Sequence, residues 1–166
     1  LRVALTAPTG KAAARLLESV RAAQQREGSP FDERHRERLG SLTATTMHRL
    51  LGWRPDSGTR FRHHRGNTLP HDVVVVDETS MVSLTMMARL LESLRADTRL
   101  VLVGDPDQLA SVEAGAVLAD LVGGLALRAP AAVTGLTTTH RYGASIGGLA
   151  QALRDGDADE VLRRLD

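Results

Sequence analysis

The sequence contains no cysteine, and lysine occurs once, at Lys11, among 21 basic residues. Without cysteine there is no disulfide framework and no thiolate metal site, which fits a reducing compartment. Aromatic residues make up only 2% of the chain, so its core has to be built from Leu, Val and Ala. No apolar run approaches the roughly 18 residues that a membrane span needs, and no secretion signal is visible. These absences predict a soluble, cytoplasmic protein with no membrane partner. The histidines offer no metal site either, because His63 and His64 are adjacent, point apart and lack an acidic cluster. Internal repeats and low-complexity segments are also absent.

What is present is ordinary in bulk and uneven in detail. The 166 residues are 42% hydrophobic and 25% charged, enough for one globular domain with a real core. The net charge of +1 conceals a basic stretch in which Arg49, Arg54, Arg60, Arg62, Arg65, His48, His63 and His64 face one acid, Asp56. Such a stretch suits contact with phosphates or a solvated face. The chain has no initiator Met and opens directly into Arg2-Val3-Ala4-Leu5, which predicts an internal piece of a longer protein.

Along the chain, Val3 to Leu5 reads as a buried strand, followed by a helix from Lys11 to about Gln25 with Ala12, Leu16, Val20 and Ala23 at helical spacing. Residues 28–40 read as a polar connection, 46–51 as a short helix, and 52–70 as a basic, turn-rich arm. Val73-Val74-Val75-Val76 is the clearest strand, with the β-branched, non-alternating pattern of a parallel sheet buried on both faces. A helix from Met81 to Leu94, with Met87, Leu90, Leu91 and Leu94 on one side, leads to a strand at 100–103. Met81, Met86 and Met87 read as helix packing. Strand, helix and strand in that span form a βαβ unit with parallel strands. A helix over 114–122, a strand over 131–136 and helices over 145–154 and 157–165 complete the expectation.

In open α/β sheets, ligands bind outside the carboxyl ends of the strands. Three polar clusters lie at such ends: Thr6 to Lys11, Asp77-Glu78, and Gly104-Asp105-Pro106-Asp107-Gln108. An acidic pair at a strand tip suits nucleotide hydrolysis. The first carboxylate, Asp77, can hold Mg²⁺, usually through water, and the second, Glu78, can orient and deprotonate a water. Gln108 can offer a donor and an acceptor to a γ-phosphate or a water. Thr9-Gly10-Lys11 mimics the end of a phosphate-binding loop, but that loop requires Gly where Leu5 stands and Ser or Thr where Ala12 stands. The helix N-terminus at Lys11 can still bind a phosphate, including one from DNA. Arg141 follows the expected strand at 131–136, at a position where an arginine would stabilise charge on a γ-phosphate.

In order along the chain, three segments are similar to the RecD family: Ala7-Pro8-Thr9-Gly10-Lys11-Ala12-Ala13-Ala14-Arg15-Leu16, Thr46-Met47-His48-Arg49-Leu50-Leu51-Gly52 and Val75-Val76-Asp77-Glu78-Thr79-Ser80-Met81. These are the alpha subunits of exodeoxyribonuclease V, the RecBCD complex. Residues 104–118 are the most specific part of the match, and His140-Arg141-Tyr142-Gly143 continues it. The resemblance implies a partial RecA-like P-loop motor domain: a parallel sheet flanked by helices, with the basic insertion around 52–70. It implies that the Walker A loop lies upstream and a second motor domain downstream. The implied activity is ATP-dependent 5′ to 3′ translocation on single-stranded DNA, acting at DNA ends alongside RecB-like and RecC-like subunits. Asp77 would serve Mg²⁺, Glu78 would be the base, Gln108 would couple nucleotide state to DNA, and Arg141 would contact the γ-phosphate. Pro8, Thr9, Gly10 and Lys11 would form one DNA-contacting motif, with Thr46 and His48 in a second. The basic arm would lie near the duplex junction or a partner subunit. A stand-alone RecD-like or relaxase-linked helicase, and a non-catalytic DNA-binding or assembly module, are the alternatives.

Overall fold

The computed structural model describes residues 1–26, 32–54, 61–106, 108, 117–136, 148–150, 152–153 and 156–165. They divide into two compact units, Leu1–Arg128 and Ala129–Asp166.

The first unit is built on a four-stranded sheet in the order β2-β1-β3-β4, from β1 (Val3–Ala7), β2 (Ala44–Thr46), β3 (Val73–Val76) and β4 (Arg99–Leu102). Every pairing is parallel, with Leu5 opposite Ala44 on one side and Val75 on the other, and Val75 opposite Val101. Every strand therefore ends on the same edge of the sheet.

Local chemistry explains the helices. α1 (Gly10–Gln25) starts where the Thr9 hydroxyl accepts the Ala12 N–H, and the Ala- and Leu-rich run behind it has high helix propensity. α2 spans Glu33–Gly40, capped by Asp32, whose side chain accepts the His35 N–H. α3 (Met47–Leu51) is capped by the Thr46 hydroxyl and stopped by Gly52, which adopts φ 70°. Only glycine holds that left-handed turn cheaply, and a Cβ there would also meet Arg62 Cβ at 2.6 Å. α4 (Leu84–Ser93) is capped by Ser83 and follows a 3₁₀ turn at Thr79–Met81. α5 covers Val117–Arg128.

The core lies under α3 and α4, where Met47, Leu51, Leu69, Val74, Val76, Val82, Met87 and Leu90 are buried together. Each such large side chain contributes about 1.5–3 kcal/mol by leaving water. The other face of β4 is open among the described residues, with Val101 37% and Val103 41% exposed. On the same side Val73 and Val75 of β3 are only half-buried, which departs from the burial on both faces expected of that strand.

Other expectations shift as well. Residues 33–40, read as a connection, form α2, a polar helix that only its cap and its contact with α1 reveal. The helix expected at 114–122 starts, where described, at Val117 and runs on to Arg128 through Gly123 and Gly124. On the α4 face, Met87 and Leu90 are buried but Leu91 is exposed, as is Met81 before the helix.

In the second unit, the strand expected at 131–136 is replaced by a 3₁₀ turn at Pro130–Ala132 and irregular backbone to Leu136. Proline fixes the opening of that turn, and only Val133 and Thr134 are β-branched, too few to build a strand. Residues 148–150 and 152–153 are helical, and the rest of the helix expected over 145–154 lies outside the described residues. α6 (Ala158–Leu165) closes the unit, with Arg163 and Arg164 both paired to Glu160. No helix among the described residues is long and apolar enough to cross a membrane.

Candidate nucleotide and nucleic-acid site

All four strand ends carry residues singled out from the sequence, and the strand order arranges them in a row. Thr46 ends β2 with His48 two residues on, and Pro8, Thr9, Gly10 and Lys11 follow β1. Asp77 and Glu78 follow β3, and Gly104 to Gln108 follow β4. At about 4.8 Å per strand, the row is roughly 14 Å across. The two candidate DNA motifs occupy one half, and the acidic pair and the glycine turn occupy the other.

The acidic pair sits on a tightly bonded backbone. The Asp77 N–H donates to the Thr6 carbonyl at 2.9 Å, which continues the sheet one residue past β3. One oxygen of Asp77 accepts the Glu78 N–H at 2.9 Å, leaving its other oxygen for a ligand. Neither carboxylate forms an ion pair among the described residues, and both are half-buried. Oxygen donors of this kind, partly open to water, match the preference of Mg²⁺ for oxygen ligands and a retained hydration shell. Glu78 adopts φ 52° and ψ 42°, the only left-handed non-glycine residue among those described. That conformation costs about 1–2 kcal/mol for an L-residue and is expected where a side chain must be aimed.

Three bonds hold the strained residue. Thr79 donates its N–H to the Val103 carbonyl at 3.0 Å, and its hydroxyl donates to the Val76 carbonyl at 3.1 Å. The Val103 N–H in turn reaches the Val76 carbonyl at 2.8 Å. Beside them, the Ser80 hydroxyl is buried without a hydrogen-bond partner among the described residues. Past β4, the Gln108 N–H donates to the Asp105 carbonyl at 3.3 Å, closing a turn that leaves Gln108 exposed. Arg141 lies outside the described residues.

On the other half, Thr9 and Lys11 are exposed at the start of α1, where Gly10 has open space around it. Thr46 spends its hydroxyl on capping α3. His48 is exposed and meets the edge of Trp53 at 6.5 Å and the ring of Phe61 at 6.0 Å.

Those aromatic contacts tie the second candidate DNA motif to the root of the basic arm, a link that no linear spacing displays. The arm's described part is hairpin-like, with antiparallel bridges between Trp53 and Phe61 and between His64 and Asn67. Its root is fastened to α3 by the Arg62 N–H on the Gly52 carbonyl and the His63 N–H on the Leu51 carbonyl, each at 3.0 Å. A cavity of about 710 Å³ opens there, lined by Arg54, Phe61, Arg62, His63, His64, Asn67 and Arg89. Its described lining carries arginines and histidines and no acid, a composition that attracts anions. Arg89, from α4, was not singled out in the sequence, because only the fold brings it to the arm.

A family profile described as "AAA domain" matches residues 1–166. The chain belongs to that family. This AAA domain is 68% identical over 161 residues to the RecBCD enzyme subunit RecD of Mycolicibacterium smegmatis, covering 97% of this chain and 28% of that protein. It is 63% identical to the subunit of the same name from Mycobacterium tuberculosis H37Rv, covering 97% of this chain and 27% of that protein. The ATP-dependent RecD2 DNA helicase of Deinococcus radiodurans is 38% identical over 144 residues, which cover 87% of this chain and 16% of that protein. The AAA domain thus spans little more than a quarter of the RecD subunits it resembles. Its parallel sheet and flanking helices are consistent with the RecA-like P-loop fold that the sequence predicted.

Proposed function

We propose that this AAA domain is the part of a RecD-type, ATP-dependent 5′ to 3′ DNA helicase that carries the hydrolytic carboxylates and two single-strand contacts. The observation that carries the reading is the row of strand ends, with nucleotide-type residues on β3 and β4 beside DNA-type residues on β1 and β2. RecD is named as a RecBCD subunit in the M. smegmatis and M. tuberculosis relatives, so RecB-like and RecC-like partners and action at DNA ends belong to the same proposal.

ATP is the substrate. Glu78 orients a water and takes its proton while the water oxygen bonds to the γ-phosphorus and the bond to the bridging oxygen breaks. Asp77 is the residue that would hold Mg²⁺, through water, and the ion would supply charge neutralisation at the phosphate oxygens. Gln108 senses the γ-phosphate and passes its presence to the strand ends. Arg141 balances the negative charge that develops on the transferred group. Pro8, Thr9, Gly10 and Lys11 contact the DNA backbone through the α1 N-terminus, and Thr46 and His48 form the second contact. The cavity at the arm is an additional phosphate-contacting surface, at the duplex junction or toward an acidic partner.

The test is ATP hydrolysis by the full-length protein, with and without single-stranded DNA, in wild type and Glu78→Gln. Hydrolysis that DNA stimulates and the substitution abolishes supports the motor. DNA binding without hydrolysis in either protein supports a non-catalytic assembly module instead. The 166 residues alone are expected to hydrolyse no ATP, since they contain no complete phosphate-binding loop.

A further inference from the structure

Gly104 sits where a side chain has no room, although its own backbone is not left-handed. A Cβ built on it would lie 2.8 Å from Leu118 Cδ2, 3.1 Å from the Thr79 nitrogen and 3.2 Å from the Ser80 nitrogen. The first neighbour is the tip of a flexible side chain and can yield. The other two are backbone atoms of the 3₁₀ turn directly after Glu78, and they move only if the turn moves. The preceding residue, Val103, accepts the Thr79 N–H and is itself bonded to Val76. The end of β4 and the turn after Glu78 are therefore bonded backbone to backbone, and a side chain at 104 fits only if that turn gives by a few tenths of an ångström.

We propose that Gly104 is a positioning residue for the Glu78 carboxylate. Its missing side chain lets the end of β4 rest on the Thr79–Ser80 backbone, and this contact holds Glu78 in its left-handed conformation. The inference rests on the reading of Glu78 as the general base. It adds a route for nucleotide sensing: displacing the 104–108 turn displaces the backbone that aims Glu78. Aiming is what matters for a base, since a misplacement of well under an ångström already weakens proton transfer.

The test compares wild type, Gly104→Ala, Leu118→Ala, Gly104→Ala/Leu118→Ala and Glu78→Gln in the full-length protein. The readouts are DNA-stimulated ATP hydrolysis, affinity for a non-hydrolysable ATP analogue, and thermal unfolding. Gly104→Ala is expected to lower kcat about ten- to a hundredfold, with KM and analogue affinity within about threefold of wild type. The double variant removes the side-chain clash and keeps the backbone one, so it remains informative if Gly104→Ala folds poorly. It is expected to keep the kcat defect relative to Leu118→Ala. Equal kcat in the double variant and Leu118→Ala overturns the inference and leaves Gly104 a packing residue. A loss of analogue affinity as large as the loss of kcat overturns it as well. If Glu78→Gln still hydrolyses ATP, the base assignment itself fails, whatever the glycine variants do.

Discussion

The two edges of the sheet are built differently. At the amino edge, side chains stitch the strands together. Asp72 accepts the Arg2 N–H at 2.7 Å and an Arg95 guanidinium N–H at 2.9 Å, and Arg95 also pairs with Asp97 at 2.9 Å. The Thr98 hydroxyl donates to the His71 carbonyl, and Leu69 is buried just before β3. At the carboxyl edge, Glu78 is strained, and among the described residues the acidic pair has no ion-pair partner and the buried Ser80 hydroxyl no hydrogen-bond partner. Backbone bonds and the Thr79 hydroxyl on the Val76 carbonyl fix that edge. One edge spends its polar groups on cohesion, and the other keeps them available for ligands at some cost in stability.

Substitutions can break this contrast. The largest effect is expected from Glu78→Gln, which should reduce hydrolysis in the full-length protein by about a hundred- to ten-thousandfold without lowering the unfolding midpoint. A large loss of stability instead would show that the pair is structural. Leu69→Ala should do the reverse, costing about 2–5 kcal/mol in denaturant unfolding while leaving kcat intact in the folded fraction. Glu78→Gly should uncouple the two quantities within one residue. It removes the base, yet relief of the left-handed strain should raise stability by about 1 kcal/mol.

The amino edge also predicts a pH signature. The Arg2 N–H bonded to Asp72, together with Arg95, holds its carboxyl at about 2, below the ordinary 3.8. Its stabilising contribution is therefore complete above 3.8 and is lost as pH falls toward 2. Burial, with Arg2 and His63 nearby, lowers His71 from 6.5, so the unfolded chain takes up that proton first and stability declines as pH drops below 6.5. Urea melts across this range should show both slopes, and Arg95→Ala should weaken the more acidic one. The smallest effect is expected at Ser80→Ala: within about 0.5 kcal/mol of wild type or slightly stabilising, because the removed hydroxyl has no hydrogen-bond partner among the described residues. A loss above about 1 kcal/mol would reveal a partner for it.

The parts legible in the sequence are those whose physics is local. Four consecutive valines can hardly be anything but a buried strand, and β3 matches them residue for residue. The acidic pair was legible for the same reason, since its place at the strand tip follows from the run before it. β2 was not foreseen, because three residues, Ala44-Thr45-Thr46, carry no apolar pattern and become a strand only by pairing with β1. α2 escaped because a helix with no buried residue has no hydrophobic period to detect. At the site, the bond of Thr79 to Val103 beside Gly104, and the contact of His48 with Phe61, join segments whose approach depends on the whole fold.

The strand order has a last consequence. From β1 the chain winds outward one way, to β2, and from β3 it winds the other way, to β4. The reversal falls between β1 and β3, a topological switch point, the place where open α/β sheets bind ligands. Pro8 to Lys11 leave the sheet on one side of that point and Asp77-Glu78 on the other. The two halves of the row thus meet at a seam held by one ladder of backbone hydrogen bonds, so a shift of β1 against β3 would move one half relative to the other.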